Sequence, residues 1–400
     1  LLAVLCPGCT WYSNCPETCT ERSTECPDEC VRPGAGVGAG GDGSSENGGG
    51  GSEDDAGRPG SDSGGSESGG SSGDAPVGGD PEGEWTEVTS NLAGLETECG
   101  AIQSVFSKPS ADMLIAGVAR RGLWVSVDGG DSWQVLGTAP NSAEILNRPT
   151  EVVFDPDQDD VFWESGMYSG PAVFRTDDNG ASFVALGDVI HFDSLAVDFT
   201  DPGRQTLLGE MHEDSSVFLS TNGGQSWTEI SQSMPGNAGE YCFNPMILDA
   251  DTFILGCNGS TDTSPGILRS DDGGSSWSLV MHEPMTAAGL QTSDGTLYWV
   301  GEAGNLFRSE DGEDWREVTP PYTLNTAVYP IELPGGALAA VNELNIVVST
   351  DEGATWRRAS AAMPYRPTGI AYSAFQEAFF IWRSDCSAEV AADALQRFDY

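Results

Sequence analysis

The chain has 400 residues, 62 of them acidic against 17 basic, for a formal charge of −45. Binding to phosphate needs clustered Lys and Arg, so nucleic acid and anionic bilayer surfaces are excluded as partners. Lysine occurs once, at Lys108, and no 18-residue apolar run exists that could cross a membrane as a helix.

In chain order, residues 1–30 come first and hold six of the ten cysteines, at Cys6, Cys9, Cys15, Cys19, Cys26 and Cys30. The opening Leu1-Leu2-Ala3-Val4-Leu5 reads as the end of an apolar export segment, with Cys6 or Cys9 near the place where a bacterial lipoprotein is acylated. An extracytoplasmic address follows, either secreted or lipid-anchored at a cell surface or in the periplasm. In that setting six close cysteines suggest a small disulfide knot. Zinc bound through the Cys6-Pro-Gly-Cys9 spacing is the alternative, against which stands the lack of a nearby histidine. Residues 31–84 contain twenty glycines among Ser, Asp and Glu, with almost no large apolar side chain. Such a segment cannot offset the entropy of ordering and is predicted to be a disordered acidic linker.

From Trp85 onward one motif, Ser/Thr-x-Asp-x-Gly-x-x-Trp, occurs six times. It runs from Ser126 through Asp128 to Trp133, from Thr176 through Asp178 to Phe183, and from Ser220 through Asn222 to Trp227. It returns from Ser270 through Asp272 to Trp277, in a form one residue short from Ser309 through Asp311 to Trp315, and from Ser349 through Asp351 to Trp356. Successive Asp/Asn positions lie 50, 44, 50, 39 and 40 residues apart, a period that means one supersecondary unit per repeat. The acidic or amide side chain can accept from amides ahead of it, the glycine tolerates positive φ, and the aromatic residue supplies an apolar face for a neighbouring unit. Apolar runs such as Thr150-Glu-Val-Val-Phe154, Asp160-Val-Phe-Trp163 and Gly122-Leu-Trp-Val125 supply the strands. Four antiparallel strands per unit make the blade of a β-propeller.

The motif resembles the Asp-box, or BNR repeat, found in sialidases, sortilin-type receptors, two-propeller xyloglucanases and photosystem assembly factors of the Ycf48 type. The resemblance covers nearly all of residues 85–400 and implies an all-β propeller with its boxes at the blade periphery, away from the ligand face. Trp85-Thr-Glu-Val88 copies a post-box strand with no box before it. Near the other end, Thr368-Gly-Ile-Ala-Tyr372, Ala378-Phe-Phe-Ile-Trp382 and Ala394-Leu-Gln-Arg-Phe398 give three strands without a fourth. Joined, they complete a seventh blade and leave the ring without a free sheet edge. Cys242 and Cys257 flank one hairpin symmetrically and are expected to bond, and Cys99 with Cys386 would pin the closure.

The face built from the interblade loops and the second-to-third strand loops is where propeller ligands bind. Mapping those loops gives Glu164, Tyr168, His191, His212, Glu213, Tyr241, His282, Glu302, Tyr365 and Arg366 as ligand-binding candidates. Solvated loop side chains are the bland alternative for all of them. The three histidines come from separate blades, so no metal centre is expected; at most the acidic surface holds a divalent cation loosely, and no cofactor is implied. A sialidase would need converging arginines and an acid, for which Arg148, Arg366, Arg383 and Glu210, placed in the same loops, are the candidates, but the ring size and the missing Arg-Ile-Pro signature depart from that family. The resemblance in size and blade number to the Ycf48 type implies a rigid recognition disc. The expected function is therefore a non-catalytic, monomeric, tethered propeller that binds an extracellular protein or carbohydrate, with sialidase-like glycoside hydrolysis the alternative.

Overall fold

Each repeat folds into a four-stranded antiparallel sheet, and seven such sheets follow one another along the chain. The computed structural model describes residues 81–99, 101–137, 145–211, 216–235, 242–257, 266–318 and 323–400. The expected cysteine-rich segment and nearly all of the expected linker lie outside these residues. Blade one runs through Ile102–Ser107, Leu114–Val118, Gly122–Ser126 and Gln134–Val135, and blade two through Arg148–Phe154, Phe162–Met167, Val173–Thr176 and Val184–Ala185. Blade three is Phe192–Val197, Leu207–Met211, Val217–Ser220 and Thr228–Glu229; blade four is Cys242–Ile247, Phe253–Cys257, Gly266–Ser270 and Ser278–Met281. Blade five comprises Met285–Gln291, Leu297–Gly301, Leu306–Ser309 and Arg316–Glu317, and blade six Ile331–Leu333, Ala337–Asn342, Asn345–Ser349 and Arg357–Arg358.

Blade seven takes Gly369–Ser373, Ala378–Trp382 and Leu395–Asp399 from the C-terminal side and Thr86–Glu87 from the N-terminal side. The register is Thr86 opposite Arg397 and Glu87 opposite Gln396. The ring is thus a closed seven-bladed β-propeller, with first strands innermost and fourth strands at the rim.

The repeated turn joins the third and fourth strands of blades one to six, and its hydrogen bonds explain its composition. In blade one, the Ser126 hydroxyl donates to Asp128 Oδ1 (2.7 Å) while accepting from the Gly130 amide (2.8 Å). The Ser132 amide and hydroxyl both donate to the Asp128 carboxylate, at 2.9 and 2.6 Å. Those bonds, led by the Ser132 hydroxyl, hold the Asp128 pKa below the usual carboxylate range. Gly130 has φ +95°, and a Cβ there would stand 2.8 Å from Val88 Cβ, so glycine is required twice over. Blade three substitutes Asn222, whose Oδ1 accepts from the Ser226 amide and whose Nδ2 donates to the Ser226 hydroxyl, preserving the turn without charge.

The core is divided into seven apolar wedges, one between each pair of adjacent blades. Phe162 and Phe174 point toward blade one, whereas Trp163 and Val173 point toward blade three. Because both faces of these inner strands are buried, they read as unbroken apolar runs rather than alternating ones. Each turn aromatic fills the wedge shared with the preceding blade: Trp133, Phe183, Trp227, Trp277, Trp315 and Trp356 in order. Trp85 does the same for blade seven, packing in the sixth–seventh wedge and donating from Nε1 to Ala361 O (3.1 Å). Both expected disulfides are present, Cys242–Cys257 as directly opposed residues of one hairpin and Cys99–Cys386 at the ring closure.

Candidate functional site at the channel mouth

The turns occupy one face, so the opposite face and the channel mouth carry the interblade and second-to-third strand loops. The first strand of every blade from one to five is interrupted by a register shift near the mouth, between Ile102 and Ser104, Pro149 and Glu151, Phe192 and Ser194, Phe243 and Met246, and Met285 and Gly289. An extra residue in an inner strand bends it and re-aims side chains toward the axis. In blades two and three the residues at or beside the shift include Glu151 and Asp193.

A stacked cluster sits over blades two and three. Arg148 lies 4.3 Å from the centroid of the Tyr168 ring, and that ring lies 5.4 Å from His191. Glu98 accepts from Arg148 Nε at 3.3 Å and from Arg120 Nη1 at 3.4 Å, so one carboxylate is shared by two guanidiniums while Arg148 lies against the ring. Tyr168 and His191 both adopt left-handed backbone, at φ +68° and +62°. Such a conformation costs about 1–3 kcal/mol for a side chain of this size and persists where the surroundings enforce it.

Below the cluster are buried carboxyls. Glu164 is fully buried on the second strand of blade two, facing blade one, where Asn147 Nδ2 donates to its Oε2 at 3.4 Å. Burial pushes the Glu164 carboxyl well up. Glu210, 2% exposed on the second strand of blade three, accepts from the Ser194 hydroxyl at 3.4 Å. Burial and then the charge of Asp193 raise its pKa well above the usual value. Glu151 accepts the Leu195 amide at 2.7 Å, and burial lifts it to about 7. Tyr329, ahead of the first strand of blade six, feels Glu151, Asp193 and Glu210. In a ring of seven, blade six stands opposite the junction of blades two and three, so this tyrosine closes the cluster from across the channel. Enclosure, then those three charges, push its phenol upward, yet 40% of its surface is exposed to the channel.

The remaining sequence candidates are dispersed. Tyr365 donates to Ala394 O (3.0 Å) and lies 5.6 Å from Arg383, which is paired with Asp393; burial raises the Tyr365 pKa. Arg366, His282 and Glu302 are exposed, and His282 follows the outermost strand of blade four, two blades beyond the start of blade three at which His191 stands. His212, Glu213 and Tyr241 lie outside the described residues. Among the described residues no group of three or more His, Cys, Asp and Glu could hold a metal ion. Glu164 and Glu210, read as loop residues from the sequence, are on strands and buried: each follows apolar residues in a strand whose two faces are both covered. Glu98, Glu151 and Tyr329 escaped the sequence reading; the only signal for Glu151 was a charge inside the run Thr150-Glu-Val-Val-Phe154.

Fold and mouth together define a closed seven-bladed propeller with a polar, aromatic-rimmed channel opening. No family model matches the chain, and no curated protein does. Among solved structures it is similar to YCF48 bound to a D1 peptide, with a TM-score of 0.53 and 14% identity over 81% of this chain and 98% of that one. It is also similar to the GH74 xyloglucanase from Xanthomonas campestris, with a TM-score of 0.51 and 16% identity over 79% of this chain and 55% of the enzyme, so it spans about half the xyloglucanase's length. At these identities the likeness is one of fold.

Proposed function

We propose that this chain is an exported, surface-tethered recognition disc whose six turns belong to the Asp-box class and whose mouth over blades two and three binds a protein or glycan partner without chemistry of its own. The observation that carries this reading is the Arg148–Tyr168–His191 stack, held in unfavourable backbone on an open face. Strain of that kind, kept in a loop on a rigid scaffold, points to use at a surface. Arg148 is paired with Glu98, which Arg120 shares, and Arg383 with Asp393, so both guanidiniums are already engaged by carboxylates of the chain. The YCF48 structure is of a propeller bound to a peptide, which supports the same use here. The test is binding of the intact chain to a glycan array and capture of partners from the native envelope, each repeated with Tyr168→Ala. Capture that this substitution abolishes is expected; silence of the unaltered chain in both assays overturns the reading.

One observation favours the enzymatic alternative: burial and then the neighbouring charge of Asp193 raise the Glu210 pKa well above the usual carboxylate value, the tuning expected of a general acid. Turnover of fluorogenic glycosides, sialosides included, that is lost on Glu210→Gln or Arg366→Ala would establish it.

A further inference from the structure

We propose that the Cys99–Cys386 bond is a redox latch on the channel-mouth face: a dithiol reductant opens it and frees residues 385–389 of blade seven while the ring stays folded. The inference is independent of which partner the mouth takes.

The two disulfides differ in access. Cys242 and Cys257 are 0% and 1% exposed inside the wedge between blades three and four. Cys386 is exposed in the loop that joins Ala378–Trp382 to Leu395–Asp399, and Cys99 is half-buried. A thiolate must reach a sulfur to attack it, so one bond is open to exchange in the native ring and the other waits for local unfolding. In the first step the reductant's thiolate bonds to the exposed Cys386 sulfur, and Cys99 leaves as a thiolate that takes up a proton. The reductant's second thiol then displaces Cys386, so the reductant is oxidised to its cyclic disulfide and both cysteines end as thiols.

Charge and hydrogen bonding decide what moves once the bond is cut. It joins two segments of like sign, with Glu96 and Glu98 on one side and Asp385 and Glu389 on the other. Glu96 and Glu389 stand directly opposite each other in an isolated antiparallel bridge, a placement that is destabilising for like charges. Arg121 holds Glu96, Arg120 and Arg148 hold Glu98, and the Thr97 hydroxyl donates to Ala119 O (2.7 Å), so the segment ahead of Cys99 is tied to blades one and two. Among the described residues no ion pair engages Asp385 or Glu389. The blade seven side is therefore the part that leaves. Its base is fixed by the Arg383–Asp393 pair and its far end by buried Val390, which leaves the Thr97 amide on Ala388 O (2.9 Å) as the bond to be broken between them.

The test treats the intact chain with dilute dithiothreitol, maps the reduced cysteines by alkylation and peptide mass, and follows amide hydrogen exchange. Cys99 and Cys386 are expected to become alkylatable at least about 100-fold sooner than Cys242 and Cys257. In the chain so reduced, exchange of the Thr97 amide should quicken at least about tenfold, while amides of the Phe253–Cys257 strand in blade four keep their rates. Glu389→Gln, at an exposed position, removes one of the two facing charges and should slow Thr97 exchange in the reduced chain about threefold, leaving the oxidised chain unchanged. Reduction of both disulfides at one rate, or Thr97 protection that persists once Cys99 and Cys386 are thiols, overturns the latch. Acceleration of the blade four amides together with Thr97 means that the ring unfolds, and overturns it too. Indifference of the reduced chain to Glu389→Gln overturns repulsion as the force that opens it.

Discussion

Replacing Glu151 with Gln should stabilise the propeller at alkaline pH and do little at acid pH. The folded carboxyl is lifted from 4.5 to about 7 by burial, with the Leu195 amide opposing the shift. A pKa raised in the folded state means that the native chain holds this proton more tightly than the unfolded one. The group is neutral and harmless below about 4.5; stability is lost as pH rises from there through about 7, and the loss is complete above that. At about 1.4 kcal/mol per unit the full penalty is about 3 kcal/mol, reduced to about 2 because Glu151 is only half-buried. Gln keeps the acceptor for the Leu195 amide, which lies 2.7 Å from the present carboxylate, and removes the charge. Denaturant unfolding with disulfides intact should show Glu151→Gln more stable than the parent by about 2 kcal/mol at pH 8 and by well under 1 kcal/mol at pH 5. The same difference at both pH values would refute the assignment of a raised carboxyl pKa. Glu164 and Glu210 contribute with the same sign, so the variant should flatten the parent's alkaline decline without abolishing it.

Three further outcomes follow from the fold. Asp351→Asn should alter thermal stability by less than about 0.5 kcal/mol, since Asn222 already performs this role in blade three, whereas Asp351→Ala removes the acceptor of the Thr355 amide and hydroxyl and should cost about 1–2 kcal/mol in the same melts. Cys99→Ser should lower the midpoint of denaturant unfolding by the equivalent of about 2–5 kcal/mol, and reductant should bring the parent toward the variant. Lys108, 3% exposed, donates to Asp159 O (2.6 Å) and Asn179 Oδ1 (2.7 Å) of the next blade, so Lys108→Met should destabilise by about 2–3 kcal/mol; amine-reactive labelling of the native chain should spare this residue until the protein unfolds.

Much of the ring is legible in the sequence alone. The turn motif states its own chemistry, because a Ser/Thr, an Asp and a glycine at fixed offsets have few other joint uses. The orphan strand at Trp85 announced closure, and Trp85 fills the wedge of blade seven as the turn aromatics fill theirs. The Cys242–Cys257 bond followed from symmetric placement on one hairpin, and Cys99–Cys386 from loops that adjoin across the ring closure. The mouth was less legible, for a physical reason: its members belong to blades two, three and six, and their convergence depends on ring geometry and on register shifts that no local pattern signals. Glu164 and Glu210 read as loop residues because Gly166, two residues on from the first, and Gly209, one residue before the second, interrupt the apolar runs. Those glycines answer close approaches instead: a Cβ on Gly209 would stand 2.1 Å from the Phe192 ring, and one on Gly166 2.5 Å from Asn147.

The ring closure also sets how the molecule carries mechanical load. A pull on the chain ahead of Thr86 arrives at the outermost strand of blade seven and peels it one bond at a time: Thr86 from Arg397, Glu87 from Gln396, then the Val88 amide from Leu395. The same zipper continues inward through the Gly94 amide on Val390 and the Thr97 amide on Ala388 before it meets Cys99–Cys386. Peeling geometry resists little force, so the noncovalent part yields early and lets the pulled segment extend. The disulfide then acts as a hard stop, and the load passes to the covalent chain while six blades remain folded. Under reducing conditions the stop vanishes and the same pull can run on into blade one, which makes the redox state of a single bond the setting of the disc's tensile limit.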